Sequence, residues 1–413
     1  MAKENELSNW FEDVSGPEWI WYAKYLSAND TYAKPNVHQG GPYVAKEVLR
    51  LAFPRLSHRS AKERNPDILL SLVVDSHDGY EATLRLVWYN SKRLGQKGGR
   101  DEARLTRWGA VDAPVVSADS TGALAVFAYH RVGAKDADAL RVWVARTLDE
   151  EERIVERVGP VDPGDGVVIT SSGVVVSGMA PSAVRSCVLH PSRMPQAWKE
   201  SFPPGDEIVS RVIESLMPAR GLDVDERLLR RRRCEYEVFR SVEAYHVLPE
   251  LGKPFSTVDA FLEFAHSVTN RRKSRSGRSL ELQLAGIFRE EGVSFSHGAV
   301  ADERSRPDFL FPSIVAYRDK EFPRERLRML AAKTTVKDRW RQVLAEASEV
   351  HTKHLLTLQE GVSEAQLDEM TRHNVILVVP EPLRKAFPKQ LWSRLKTLQG
   401  FLEEVRQDQR PAS

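Results

Sequence analysis

Cysteine is scarce in this sequence: Cys187 and Cys234 are the only two among 413 residues. That excludes a disulfide framework and an all-cysteine zinc site, and two reduced thiols are expected. No apolar run reaches the roughly 20 residues needed to cross a bilayer. The opening "MAKENELSNWFEDVSG" lacks the basic, then apolar, then small-residue order of a secretory signal. A cytoplasmic protein with no membrane partner is expected. A Gly-rich loop ending in Gly-Lys-Ser/Thr is missing, which argues against a nucleotide hydrolase. We find no internal repeat and no low-complexity tract. An excess of one charge is also absent, since 60 Lys and Arg face 58 Asp and Glu. The sum does not exclude nucleic acid, because attraction to phosphate depends on local clusters of cations.

What is present is the make-up of a globular chain, 41% apolar and 29% charged, too long for one ordinary core. Up to about residue 179 it reads mostly as strands. "PDILLSLVVDSH", "EATLRLVWYNS", "GALAVFAYHRV", "LRVWVART" and "GVVITSSGVVVSG" are rich in β-branched and aromatic residues and separated by Gly, Asp and Pro. One helical stretch, "GPYVAKEVLRLAFP", groups Val44, Val48, Leu49 and Ala52 before Pro54. A barrel-like, closed or nearly closed sheet is expected. Residues 180–205, with Pro181, Pro191, Pro195 and Pro203, read as a linker. From 206 to 413 the character changes to long helical segments, then short apolar strands alternating with helices: "PDFLFPS", "RMLAAKT", "HLLTLQ" and "VILVVP". This second part is expected to be an α/β domain around a mixed central sheet.

"MLAAKTTVKDRWRQVLAEA", residues 329–347, carries the chemistry. An apolar strand ends at Lys333, and a helix is expected from near Thr335, with Thr335 and, three residues on, Asp338 forming its N-terminal cap. Its apolar stripe would be Trp340, Val343, Leu344, Ala347 and Val350, with Asp338, Gln342 and Glu346 spaced by four on one flank. Alone, this describes any amphipathic helix with solvated charges. The neighbouring "RPDFLFPS" places Asp308 directly before a buried run. If the two strands pair, Asp308 and Lys333 sit side by side and Glu346 reaches the same point. Two carboxylates and an ammonium at a sheet edge are the parts of metal-assisted phosphodiester hydrolysis. Carboxylates suit Mg²⁺, a hard cation that keeps several waters, and the lysine stabilises developing negative charge. "HTKH" (351–354) offers two histidines without a third ligand nearby, a weak basis for a metal site.

In order and spacing, "RRKSRSGRSLEL", "RPDFLFPS", "AYRDKEFP", "RMLAAKTTVKDRWRQVLAEA" and "HLLTLQEGVS" resemble the catalytic domain of the EcoRII restriction endonuclease family, within the PD-(D/E)XK nucleases. "YLSANDT", "VHQGGPY", "WYNS", "GRDEARLTRWG" and "STGALAVFA" are similar to the effector DNA-binding domain of the same family. The resemblance implies that Asp308 and Glu346 bind the metal and that Lys333 is the catalytic lysine. Ala331 stands where many such nucleases carry an acid, and Glu346 takes over from the following helix. Glu281 matches a further active-site acid or is an exposed helix glutamate. Tyr317 matches a position near the active site or is a buried tyrosine with a satisfied hydroxyl.

The DNA-reading candidates fall in both halves. Lys337, Asp338 and Arg339 suit guanine and cytosine edges, and the resemblance makes Lys337 and Asp338 base readers. Arg271, Arg272, Lys273, Arg275 and Arg278, in "RRKSRSGR", are expected on phosphates. The arginines 230–233 form a weaker run that the family associates with the catalytic cleft. In the first half, Arg100, Glu102 and Arg104 alternate at period two and would share one face of a strand, where each arginine can make a bidentate contact. The resemblance adds His38 and Tyr43, while Ala103 replaces a family lysine. It further implies cleavage of a CCWGG-like site (W is A or T), flipped central bases, a homodimer formed through the catalytic half and a cognate methyltransferase without a stable complex. It also implies two or more site copies on double-stranded DNA, with the effector domain relieving autoinhibition. A DNA-binding regulator with an inactive nuclease-like half is the competing expectation.

Overall fold

The computed structural model describes residues 2–31, 41–110, 112–159, 161, 164–170, 173–178, 187–216, 221–302 and 305–410. It divides into two compact units. One comprises residues 1–180 with 359–366 and 386–391, the other residues 181–358, 367–385 and 392–413.

The first unit is built on nine strands: β1 (Trp19–Tyr25), β2 (Tyr43–Val44), β3 (Asp67–Val74), β4 (Tyr80–Tyr89), β5 (Glu102–Thr106), β6 (Leu124–His130), β7 (Ala139–Val144), β8 (Asp165–Thr170) and β9 (Gly173–Gly178). They form one mixed sheet in the order β2-β5-β4-β3-β7-β6-β1-β8-β9, antiparallel except where β3 meets β7. Its edges are β2 and β9, and among the described residues no pairing joins them into a closed barrel. Central strands are apolar on both faces, which is why their sequences run rather than alternate. Tyr22, Phe127, Tyr129 and Val142 enter one core with the short helices α2 (Lys46–Ala52) and α3 (Pro54–Arg59). Trp21, Val126 and Trp143 enter another beneath α1 (Ala2–Asp13) and α4 (Leu148–Val158). The expected single helix is interrupted: Val44 belongs to β2, and Pro54 opens a separate helix after Phe53.

The second unit centres on five strands, β10 (Ser296–His297), β11 (Phe309–Phe311), β12 (Arg328–Lys333), β13 (Lys353–Thr357) and β14 (Val375–Val378), adjacent in that order. β10, β11 and β12 pair antiparallel, whereas β12, β13 and β14 run parallel. Two long helices, α5 (Val224–Leu251) and α6 (Val258–Glu290), start on side-chain caps, Asp223 accepting from Glu226 N–H and Thr257 from Ala260 N–H. With α7 (Leu398–Asp408) they cover one sheet face, where Phe288 meets Phe295, Phe309 and Phe311 edge-on. Truncating such a ring to alanine costs about 3–5 kcal/mol. Leu189, Met194 and Trp198 pack with Ile208 and Phe239 in a smaller cluster of this unit. The expectation of two free thiols is overturned there: Cys187 and Cys234 are joined by a disulfide. Their separation of 47 residues hides in sequence what the packing of residue 187 against α5 brings together.

Candidate active site

β11 and β12 pair with Phe309 opposite Leu330, so Asp308, one residue before β11, lies level with the end of β12. Its Oδ2 accepts from the Ala332 backbone N–H at 2.7 Å and from Lys333 Nζ at 3.0 Å. The carboxylate is therefore fixed by a strand amide and a side chain together. Lys333 shares the strand face of Met329 and Ala331, because side chains alternate along a strand. Both of those are buried, and only the terminal lysine reaches solvent.

Glu346 arrives differently from the expectation. Residues Lys337–Ala345 form tight 3₁₀ turns instead of an α-helix, and Val336, with no capping side chain, stands at their start. Thr335 therefore does not stand at the start of a helix. In 3₁₀ geometry residues three apart eclipse, whereas four apart diverge by a third of a turn. Trp340 and Val343 thus follow one another on the buried face, and Glu346 comes next in that series, in extended backbone just past the last turn. The helical flank Asp338–Gln342–Glu346 does not exist. Burial drives the Glu346 carboxyl up to about 7; Lys333 opposes the rise, Asp308 adds to it and Lys353 opposes it. Its Oε2 is buried without a hydrogen-bond partner.

Other residues named from sequence sort clearly. Glu281, on α6, accepts from or shares a proton with His297 Nε2 at 3.1 Å, and His297 stacks on Phe309. Tyr317 is buried and donates its hydroxyl to Asp302 at 2.9 Å. Arg339 is half-buried in the 3₁₀ segment, and the side chains of Lys337 and Asp338 lie outside the described residues. The basic run belongs to α6, and most of it is not a free surface. Arg275 is buried against Glu235 at 3.1 Å, Arg272 pairs with Glu243 at 2.6 Å, and Arg271 lies over the Phe202 ring. Arg278 is exposed, and the side chain of Lys273 lies outside the described residues. Arg231 is buried on Glu290, and Arg230, Arg232 and Arg233 each sit beside a glutamate. His354 is buried in β13 against Phe401, and no cluster of three or more potential metal ligands occurs among the described residues.

In the first unit, Glu102 and Arg104 share a face of β5, where Arg104 Nε donates to Glu102 at 3.2 Å and its Nη1 donates to the Gly41 carbonyl. Tyr43 pairs with Arg104 across the strands, so three of the expected DNA contacts come together. Arg100 precedes the strand and lies over the Tyr89 ring, which ends the period-two series at Glu102. Ala103 faces the core, on the side opposite Glu102 and Arg104. His38 lies outside the described residues.

Sequence reasoning passed over Lys353, between the two histidines of "HTKH". A lysine opening the run Leu355–Leu356 was the signal: in a strand buried along its whole length it is 7% exposed, and its ammonium donates to the carbonyls of Glu346, Ala347 and Val350.

Residues 15–172 match the family described as restriction endonuclease EcoRII, N-terminal, and residues 239–402 match the one described as EcoRII C terminal. The type II restriction enzyme EcoRII of Escherichia coli is 42% identical over 399 residues, covering 96% of each chain. The type II restriction enzyme SsoII of Shigella sonnei is 22% identical over 218 residues, 50% of this chain and 64% of its own. A solved structure of metal-depleted Ecl18kI in complex with uncleaved, modified DNA aligns with a TM-score of 0.41 and 19% identity, over 55% of this chain and 88% of that one. Among the described residues, no helix is long and apolar enough to cross a membrane.

Proposed function

From the premise that the chain belongs to the EcoRII family of type II restriction enzymes, site-specific deoxyribonucleases, we propose that it cleaves a CCWGG-like site with Mg²⁺ held between Asp308 and Glu346. The observation that carries the reading is the Asp308–Lys333 contact of 3.0 Å beside a buried, unpartnered Glu346 oxygen. Two carboxylates supply hard oxygen donors and leave the remaining positions to water and phosphate, which suits Mg²⁺. A divalent ion there supplies the charge that polarises a phosphodiester and offsets the leaving oxygen. Lys333 orients the attacking water and stabilises charge developing on the phosphate. Asp308, anchored by the Ala332 amide, keeps the ammonium and the cation at one point. Glu281 and Tyr317 support this site from its margin, Glu281 through His297 beside Phe309 and Tyr317 through the turn that follows Glu346.

DNA reading is assigned to Lys337, Asp338 and Arg339 in the catalytic half, with Arg278 on phosphate, and to His38, Tyr43, Arg100, Glu102 and Arg104 in the N-terminal half. That half binds a further copy of the site and relieves autoinhibition. The catalytic half is a homodimer on double-stranded DNA, so that two centres address the two strands. Exposed Leu248, Leu251, Val258, Phe261 and Leu262 where α5 gives way to α6 supply apolar surface for it. The enzyme works in the cytoplasm beside a separate methyltransferase. Incubation with Mg²⁺ and plasmids bearing two CCWGG sites, one or none tests the proposal. Fragments are expected with two sites, slow cutting with one and none without; intact plasmid in every lane overturns it.

A further inference from the structure

Glu346 poses a placement problem. It stands outside every regular element, and the next residue, Ala347, has φ of +47°. That left-handed conformation costs an L-residue about 1–2 kcal/mol. A carboxylate that must hold a cation needs a fixed backbone, and neither a helix nor a strand provides one here.

Lys353 does. It begins β13, paired in register with Met329 of β12, and its side chain turns back beneath the segment carrying Glu346. Nζ donates to the carbonyls of Glu346 at 2.5 Å, Ala347 at 3.0 Å and Val350 at 3.2 Å. An ammonium has three protons, and each of these has an acceptor. Burying a cation is costly unless its hydrogen bonds are made, so an apolar residue is the ordinary occupant of such a strand position. The other side of the turn is gripped as well. Ala347 N–H donates to Ser305 Oγ at 3.0 Å and Ser348 N–H to Asp302 at 3.1 Å. Tyr317 donates to the same Asp302 and accepts from Glu349 N–H at 3.3 Å.

We propose that Lys353 is a positioning residue for the nuclease centre, closing the 346–350 turn from below while Asp302, Ser305 and Tyr317 hold it from above, so that the Glu346 carboxylate is set for the cation. This rests on the reading of Glu346 as a metal ligand. The turn thereby replaces the strand position, occupied here by Ala331, from which many nucleases of this type supply their second acid.

The test compares Lys353→Met, Lys353→Arg, Ser305→Ala and Glu346→Gln in the full-length protein. Mn²⁺ uptake is read from the free-ion electron paramagnetic resonance signal, with a CCWGG duplex whose site linkages resist hydrolysis. Cleavage is titrated with Mg²⁺, and duplex binding is measured in chelator. Lys353→Met is expected to weaken Mn²⁺ uptake and raise the Mg²⁺ requirement about 10–100-fold, the usual effect of losing a group that orients a metal ligand. Chelator-phase DNA binding stays at the wild-type level, Lys353→Arg recovers part of the loss, and Ser305→Ala shifts both metal readouts the same way by less. Wild-type Mn²⁺ uptake in folded Lys353→Met overturns the proposal. Should that variant not fold, wild-type uptake in Ser305→Ala overturns it instead. If Glu346→Gln itself binds Mn²⁺ as wild type does, the reading of Glu346 as a ligand falls, a result distinct from failure at Lys353 alone.

Discussion

Charge is dense at two places in the second unit, and the fold treats it in opposite ways. Along α5 and α6, Arg227, Arg231, Arg232, Arg272 and Arg275 each meet a carboxylate, several of them buried. At the end of β12 the balance is left unfinished: Asp308 has its lysine, but Glu346 keeps a buried oxygen without a partner and a carboxyl raised by burial to about 7. Matched charge here is architecture, and unmatched charge marks the centre proposed for cleavage. A run of five basic residues in eight reads in sequence as a phosphate-binding surface, whereas in the folded chain Arg272 and Arg275 of that run are spent on Glu243 and Glu235.

The sharpest way to break the contrast is Lys333→Ala. Cleavage is expected to fall by roughly 10³-fold, the scale of losing a donor aimed at developing charge, while duplex binding in chelator and the thermal midpoint stay near wild type. Arg275→Ala should do the reverse. Losing one of the two guanidinium partners of buried Glu235, which keeps Arg232 at 3.5 Å and the Ser279 hydroxyl, costs about 1–3 kcal/mol of stability, read by denaturant unfolding, with cleavage per folded molecule unchanged. If Arg275→Ala instead spares stability and weakens DNA binding, the basic run is a phosphate surface after all.

A smaller effect concerns pH. Below about 7 Glu346 holds its proton and competes with a cation, so Mn²⁺ affinity should rise as pH climbs through 7 and level off above. Without metal the sign is opposite: a carboxyl raised from 4.5 binds its proton more tightly when folded, so its contribution to stability declines from about pH 4.5 to about 7. Calorimetry across that range, with and without Mn²⁺, reads both. The least effect is expected from exposed Arg278: replacement by alanine should lower the slope of log affinity against log salt by about one, leaving stability and the Mg²⁺ requirement alone.

How much of this was legible in the sequence depends on the range of the interaction that decides each feature. β11 and β12 are apolar runs with a charge at one end, and their pairing follows from burial, so Asp308 and Lys333 could be brought together on paper. The strand character of β5 likewise placed Glu102 and Arg104 on one face. The segment after Lys333 was misread because its apolar residues fit a helical period, whereas tight turns with no capping side chain won locally. The buried pairs of α6 were invisible for another reason: Arg272 and Arg275 find Glu243 and Glu235 on a helix 29 and 40 residues earlier, and no local pattern announces that. Lys353 was hidden by its neighbours, two histidines that drew attention to themselves.

The most direct test of the account is a crystal structure with Mn²⁺, read by anomalous scattering. One ion about 2.0–2.2 Å from both an Asp308 and a Glu346 oxygen, a distance usual for hard cations of this size, is the predicted result. An ion bound elsewhere, with the two carboxylates too far apart to share it, would contradict the claim that these two acids and Lys333 form one centre.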